Sequence, residues 1–519
     1  MELDFTKLKT PSGHGSTLVL PTPVKLPGAV HEGDRLLRDS EVPLLDSTIG
    51  EWRRRTRERI VGTNERPILV TGHQPAFVHA GVWAKHVVAS RLAQALDGIA
   101  VNLVVDNDAP QNTTLGIPRI EGGRVTVVPV PFASLPSGQA FEQIPRQPAE
   151  VTSRFEGAVR EAMGDRYEHS QFPVFFETFR GIRQDARDWV DQAVAGRRAI
   201  EARFGVQLQD RRVSDHWCSP LLLDILLNAG RFREAYNQAL AEYRRANKVR
   251  GGQRPIPDLI HSEDAVEVPV WTYRENEVRR RLFVKRLGDT LHLFAGSEER
   301  IGEVKVGEVS HCDQVQQVLE HLEGWRFRPR ALTLTIWARL LLADLFIHGI
   351  GGAKYDRISN RIMADYYGVT PPPIACVSAT LLVDLPHSDA TAQSAAQLRA
   401  RLRDVRFNPQ RHLPVNGDLR ELVARRAAAV RQSIELCRKR PADHAARKRA
   451  FDEIRAATQA ILTARPDLIQ RLCAELEQRQ RRLQDDQAAR SREYFFGLHS
   501  DQALEDLCDA LPAAGDFGV

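Results

Sequence analysis

PILVTGHQPAFVHAGVWAKHVVASRLAQALDGIAVNLVVD, residues 67–106, decides the fold class of this chain. Pro67 to Thr71 is a short apolar run that stops at Gly72, the pattern of a buried strand. From Val82 to Leu96 the apolar residues Val82, Val87, Val88, Leu92 and Leu96 recur at helical spacing, and Gly98 supplies a stop. Ile99 to Asp106 is a second apolar strand. Strand, turn, helix and strand in such quick succession form a βαβ unit. That predicts an α/β protein with a parallel sheet and a right-handed crossover.

Further along, Arg124–Val130 predicts another strand, and residues 150–250 read as mostly helical, with a helix entering at Ser219 and Pro220. Val266–Tyr273, with a hairpin of Arg281–Lys285 and Thr290–Phe294 around Gly288, predicts a β-rich insertion. Ala331–Ile347 reads as one buried helix ending at His348-Gly349-Ile350-Gly351-Gly352, and Ile374–Leu382 as a late strand. Beyond about residue 386 the pattern changes to heptads. Val423, Ala427, Val430, Ile434 and Cys437 alternate spacings of four and three; so do Ala450, Ile454, Ala457 and Ile461, and Ile469, Leu472, Leu476 and Leu483 follow. The expected plan is therefore a lead-in over 1–65, an α/β core with helical and β-rich insertions over 66–385, a helical coiled-coil arm over 386–495 broken at Pro441 and Pro466, and a tail over 496–519. The charged helix Glu51–Ile60 in the lead-in is expected to present its arginines to solvent.

Composition narrows the class. The chain has 519 residues, 42% hydrophobic and 27% charged, which is globular. Its net charge of +5 comes from 72 basic against 67 acidic residues, too small a surplus to predict a nucleic-acid partner, yet compatible with an anionic small-molecule substrate. Cys218, Cys312, Cys376, Cys437, Cys473 and Cys508 form no CxxC pair, so neither a disulfide framework nor a structural zinc is expected. The N-terminus MELDFTKLKTPSGHGS lacks the apolar stretch of a signal peptide, and no run approaches the roughly 20 apolar residues of a membrane span. A cytoplasmic protein without a membrane partner is the expectation.

Three segments carry candidate chemistry. In an open parallel sheet ligands bind beyond the carboxyl ends of the strands. Gly72, His73, Gln74, His79 and Gly81 lie in such a position, ahead of a helix whose free amides can hold an anion, with Lys85 a turn inside it. Asp106 and Asp108 end the second strand, where they could hold an ammonium group, a sugar hydroxyl or a metal, or form a solvated turn. The third is His348-Gly349-Ile350-Gly351-Gly352-Ala353-Lys354-Tyr355-Asp356, where glycines admit a ligand next to a cation, a phenol and a carboxylate. His79-Ala80-Gly81 matches the first three positions of the HxGH signature of nucleotidylyltransferases and class I aminoacyl-tRNA synthetases, with Val82 in place of the second histidine. No GxxxxGK[ST] loop is present.

Thr71-Gly72-His73-Gln74 before a helix bearing Lys85, Val104-Val105-Asp106-Asn107-Asp108, Arg328-Pro329-Arg330-Ala331-Leu332, Gly351-Gly352 and a C-terminal heptad region occur in that order. In that order they resemble the bacillithiol-biosynthesis cysteine-adding enzyme family (BshC), over residues 66–495. The resemblance implies a Rossmann-like core with connecting-peptide insertions and a coiled coil that makes a homodimer. It implies a carbon–nitrogen ligase that condenses cysteine with the amine of glucosaminyl-malate. His73 stands where the family has an amide, and Lys354 and Asp356 stand near its Gly-Pro-Gly-Glu turn. On this footing His73, His79 and Lys354 are the expected catalytic residues. Gly72, Gln74, Gly81, Lys85, Asp106, Asp108, Gly351, Gly352, Tyr355 and Asp356 are expected to bind substrate, with no metal. An adenine nucleotide is the candidate cofactor. Two alternatives stand beside it: a nucleotidylyl-transferring enzyme with a degenerate HxGH motif, and a non-catalytic coiled-coil scaffold.

Overall fold

The computed structural model describes residues 5–217, 220–249, 256–262, 265–306, 322, 324–388, 391–413 and 417–519. Cys218, Ser219 and Cys312 lie outside them. The protein is a mixed α/β chain in two units: the first comprises 1–119, 127–383 and 491–519, the second 120–126 and 384–490.

The first unit is organised by a six-stranded sheet of β1 (Ser16–Leu20), β2 (Ile68–His73), β3 (Ile99–Val104), β4 (Gln209–Arg212), β5 (Leu345–His348) and β6 (Ile374–Thr380). Their order is β1-β6-β5-β2-β3-β4. All neighbours are parallel except the edge pair β1 and β6. The apolar run of β2 is buried on both faces because a parallel strand is covered on both. Ile68 and Val70 face a core shared with α4 (below), Ile99, Val101 and Phe346. The helix α2 (Ala80–Ala95) covers the opposite face, packing on β2, β3 and β6. Before and after β5 come α3 (Ala331–Leu341) and α4 (Ile350–Asp365), whose Ile336, Trp337, Ile358 and Ile362 fill the Val70 face.

Three expectations are corrected here. The predicted single helix 331–347 is two elements: α3 stops at Leu341 and Leu345–His348 is the strand β5. A continuous apolar run has no periodicity to separate a buried helix from a buried parallel strand. The lead-in is also no lead-in, since Ser16–Leu20 pairs with β6 in register from Ser16↔Thr380 to Leu20↔Cys376. Finally, α1 (Ile49–Val61) presents only some of its arginines to solvent. Arg53 and Arg57, four residues apart on one face, are each 1% exposed and close on Asp344. Asp344 Oδ1 accepts from Arg53 (2.5 Å) and Arg57 (2.8 Å), while Oδ2 accepts the backbone N–H of Ile68 (2.6 Å). This carboxylate stands in the turn between α3 and β5 and pins the start of β2.

The β-rich insertion is an antiparallel sheet of Ala265–Tyr273, Arg280–Leu287, Thr290–Ala295, Glu299–Lys305 and Arg326–Pro329, with the hairpin at Gly288 as expected. Arg328 and Arg330, on the way into α3, are held inside: Arg328 by Glu142 (2.8 and 2.9 Å) and Arg330 by Glu267 (2.7 Å).

The second unit contains α5 (Ala392–Phe407), α6 (Asp418–Lys439), α7 (His444–Ala464) and α8 (Pro466–Ala489). Pro441 and Pro466 fall at helix junctions, as expected. α6 and α7 pack as a hairpin, and α5 packs on α8 through Leu398, Leu402, Val405 and Leu472. Of the expected heptad residues, Ala450, Ala457, Ile461 and Leu472 are buried, whereas Ile434 and Cys437 are exposed. Among the described residues no helix is long and apolar enough to cross a membrane.

Candidate functional site

The order of the core sheet reverses at β2. From there the chain runs outward through β3 to β4, then returns to lay β5 and β6 on the other side. Because α2 and α4 lie on opposite faces, the carboxyl ends of β2 and β5 form the switch point, where open α/β sheets take ligands in a crevice. Thr71 ties the two strands just below it, its hydroxyl donating to Ile347 O at 3.0 Å.

Lys85 is the buried cation beside this switch point. It points from the second turn of α2 back to β2, and its Nζ donates to Gly72 O at 2.9 Å. It is 3% exposed, and among the described residues no carboxylate lies within ion-pairing distance. Burial pushes its pKa down to about 8. Cys376 stands at the register position opposite His348, and both Lys85 and Lys354 act on it electrostatically. The Cys376 thiol itself is pushed up to about 12 by burial and is no nucleophile near neutral pH. His73, on the last residue of β2, is held down to about 3 by burial and by Lys85; it is a neutral imidazole.

The far wall is the first turn of α4. Its N-cap is Gly349, which offers no side chain to the leading amides, and Gly351 and Gly352 are exposed there. Such a turn is suited to an anion. Gly352 is glycine for a local reason: a Cβ would stand 2.7 Å from His348 Nδ1.

The other expected residues are placed elsewhere or otherwise engaged. His79 is the N-cap of α2, its Nδ1 accepting from Gly81 N–H at 3.0 Å. Burial pushes it down to about 4. Arg492, from the segment after the arm, reaches over Gly81 to donate to Ala379 O (2.9 Å) and Ser378 Oγ (3.3 Å). A synthetase-type signature histidine must face its nucleotide, whereas His79 is turned to its own helix. Gln74 donates to Asp108 at 2.5 Å, and Asp108 also accepts from Arg279 at 2.6 Å. Asp106 is fully buried and saturated by Arg212 (2.6 Å) and by the Ser214 amide and hydroxyl (3.0 and 2.5 Å), so it orders the end of β3. Tyr355 packs on Tyr243, and Asp356 is buried against Arg339 (2.6 Å). The loop itself is clamped by Phe77, whose ring is surrounded by Phe132, Phe155, Phe175, Trp189 and Phe495. Among the described residues no group of three or more His, Cys, Asp or Glu side chains is arranged to hold a metal.

Sequence reasoning therefore selected Gly72, His73 and Lys85 at the end of β2 and in the first turns of α2, and Gly351, Gly352 and Lys354 in the first turns of α4. His348 stood in the third candidate segment without a role of its own. Arg492 was not singled out, since no sequence signal links it to His79 across 413 positions.

The buried histidines give the protein a pH signature. His73 and His499 are each lowered to about 3 and His79 to about 4, chiefly by burial. A base whose folded pKa lies below its unfolded value stabilises nothing on protonation, so stability is complete above about pH 6.5 and falls as pH drops from there. The urea midpoint is expected to decline between about pH 6.5 and 5, before most carboxylates titrate. His499→Gln, away from the crevice, should make that decline shallower; an unchanged slope would show that His499 is not held neutral. No family model matches the chain, and no curated protein does so either.

Proposed function

We propose that the chain is a Rossmann-like enzyme for an anionic small molecule, and that its reaction is the one its resemblance implies. That reaction is carbon–nitrogen ligation of BshC type, joining an amino acid such as cysteine to the amine of a sugar-type compound in low-molecular-weight thiol biosynthesis. The observation that carries this is Lys85: a buried cation without a carboxylate partner among the described residues, at the switch point of a doubly wound sheet. A substrate carboxylate or phosphate between Lys85, Lys354 and the first turn of α4 would complete the charge balance that the protein leaves open.

Joining a free carboxylate to an amine requires activation, which an adenine nucleotide would supply as a phosphate or adenylate leaving group. The donors present fit a polyphosphate: two lysines and a glycine-rich helix start. Lys85 and the α4 amides would then bind the anion, and the neutral His73 would orient it through a hydrogen bond. The helical unit is assigned as a coiled-coil arm that makes a homodimer.

Incubation with glucosaminyl-malate, cysteine and ATP is expected to give a thiol product with the summed mass of the two substrates less water. Pyrophosphate binding by calorimetry tests the crevice separately. Binding without product would remove this substrate pair and keep the anion site; no binding would remove both.

A further inference from the structure

We infer that His348 is the group that accepts the amine proton in this crevice, and that Asp356, anchored by Arg339, is its positioning residue. The inference rests on the crevice being the site of amide formation.

His348 ends β5 at the switch point and is 7% exposed. Its Nε2 stands 3.2 Å from Asp356 Oδ2 and has no aligned hydrogen-bond partner among the described residues. The same oxygen accepts from Arg339 Nη1 at 2.6 Å, and Arg339 also donates to Asn360 Oδ1 (2.6 Å) and Pro372 O. All three charged or polar groups are buried. The Arg339–Asp356 pair is neutral without help. A third polar group driven onto the same oxygen, imperfectly bonded, is destabilising. The neighbouring strand residue Phe346, whose ring lies 4.4 Å from the imidazole, shows that an apolar side chain fits this layer. Hydrogen bonds that serve catalysis are often loose before substrate arrives.

The orientation has a chemical consequence. With the Asp356 carboxylate 3.2 Å from Nε2, the tautomer with its proton on that nitrogen is favoured, which leaves the Nδ1 lone pair free. Nδ1 is turned to Gly352 in the first turn of α4, where the missing Cβ makes room for it. Cys376 on β6 stands at the register position opposite His348, and Lys354 follows Gly352 by two residues on α4. In the ligation, the substrate amine forms a C–N bond to an acyl phosphate or acyl adenylate. The C–O bond to the phosphate breaks with its electron pair, and the amine proton moves to Nδ1. Asp356 then faces the imidazolium so formed.

The test uses the full chain labelled with 15N-histidine, with the His348 resonances assigned through His348→Gln. The free protein is expected to show His348 almost wholly with its proton on Nε2, and Asp356→Asn to shift the tautomer ratio by about tenfold. If Asp356→Asn fails to fold, Gly352→Ala leaves the Arg339–Asp356 pair in place and should displace the ring, with the same loss of preference. In turnover, Asp356→Asn should lower kcat by about 100-fold with pyrophosphate affinity unchanged. A proton on Nδ1 in the wild type, or a ratio insensitive to both variants, would overturn the assignment. Should the ligation itself fail while the tautomer result holds, the amine role is lost but the Asp356 positioning of His348 remains.

Discussion

Asp344→Ala is expected to destabilise the first unit by about 3–5 kcal/mol, the usual consequence of leaving buried cations without their anion. Asp344 pairs with both Arg53 and Arg57 and holds the Ile68 amide as well. Arg53 further donates to Leu340 O and Ala343 O, and Arg57 donates to Arg66 O and has Asp34 at 4.0 Å. Removing the carboxylate therefore leaves two guanidinium groups, each 1% exposed, with the more distant Asp34 as their remaining anion. Asp344→Asn should be only partly better, since an amide keeps the shape and loses the charge. The triple change Arg53→Met, Arg57→Met, Asp344→Leu should recover much of the loss, because well-packed apolar groups often replace a buried ion cluster without penalty. Urea unfolding followed by circular dichroism reads all three. A loss below about 1 kcal/mol for Asp344→Ala would mean that water reaches the cluster.

Lys85→Met is expected to move stability and binding in opposite directions. Holding Lys85 at about 8 instead of 10.5 opposes folding by roughly 3 kcal/mol at neutral pH. Methionine removes that burden but leaves Gly72 O without its donor, worth about 1 kcal/mol, so a net gain of about 2 kcal/mol is expected. The unfolded chain binds the extra proton between about pH 8 and 10.5, so the gain should shrink as pH rises through that window and vanish above it. Pyrophosphate affinity should fall about 10- to 100-fold, the loss of one charge-assisted hydrogen bond. A lysine kept only for packing would show neither the gain at neutral pH nor the binding loss. Denaturation midpoints at pH 7 and pH 11, with calorimetry at pH 7, separate the cases.

The βαβ core was legible because its residues serve one purpose each. Ile68–Val70 and Ile99–Leu103 are apolar because both faces are covered, and α2 repeats at helical spacing between them. Leu345-Phe346-Ile347 is as apolar as β2 but continues directly from α3, so its strand character emerges only from its place between β2 and β6. Gln209-Asp210-Arg211-Arg212 carries no apolar signal at all; it is the sheet edge, where polar side chains are tolerated. The candidate residues were legible as positions only. Lys85 and Gly352 sit in the first turns of the helices that follow β2 and β5, and Asp106 and Asp108 follow the end of β3, yet the latter pair are engaged by Arg212 and Arg279 from segments far along the chain. Local pattern marks which residues stand at strand ends, and the partners that neutralise some and spare others are a property of the assembled fold.

The first unit is interrupted in the chain by the helices of the second, and its closing pieces come from Ser491–Val519. Phe495 joins the ring cluster around Phe77, and the Phe496 amide donates to Val78 O. Arg91 reaches the carbonyls of Cys508, Leu511 and Pro512. During translation the loop that borders the crevice must therefore wait, its phenylalanine uncovered, while the whole arm is synthesised. The arm has the local contacts to fold in that interval, whereas the crevice cannot be finished until the ribosome has passed it. The order of synthesis thus makes the helical unit the earlier product and the finished loop after β2 the later one.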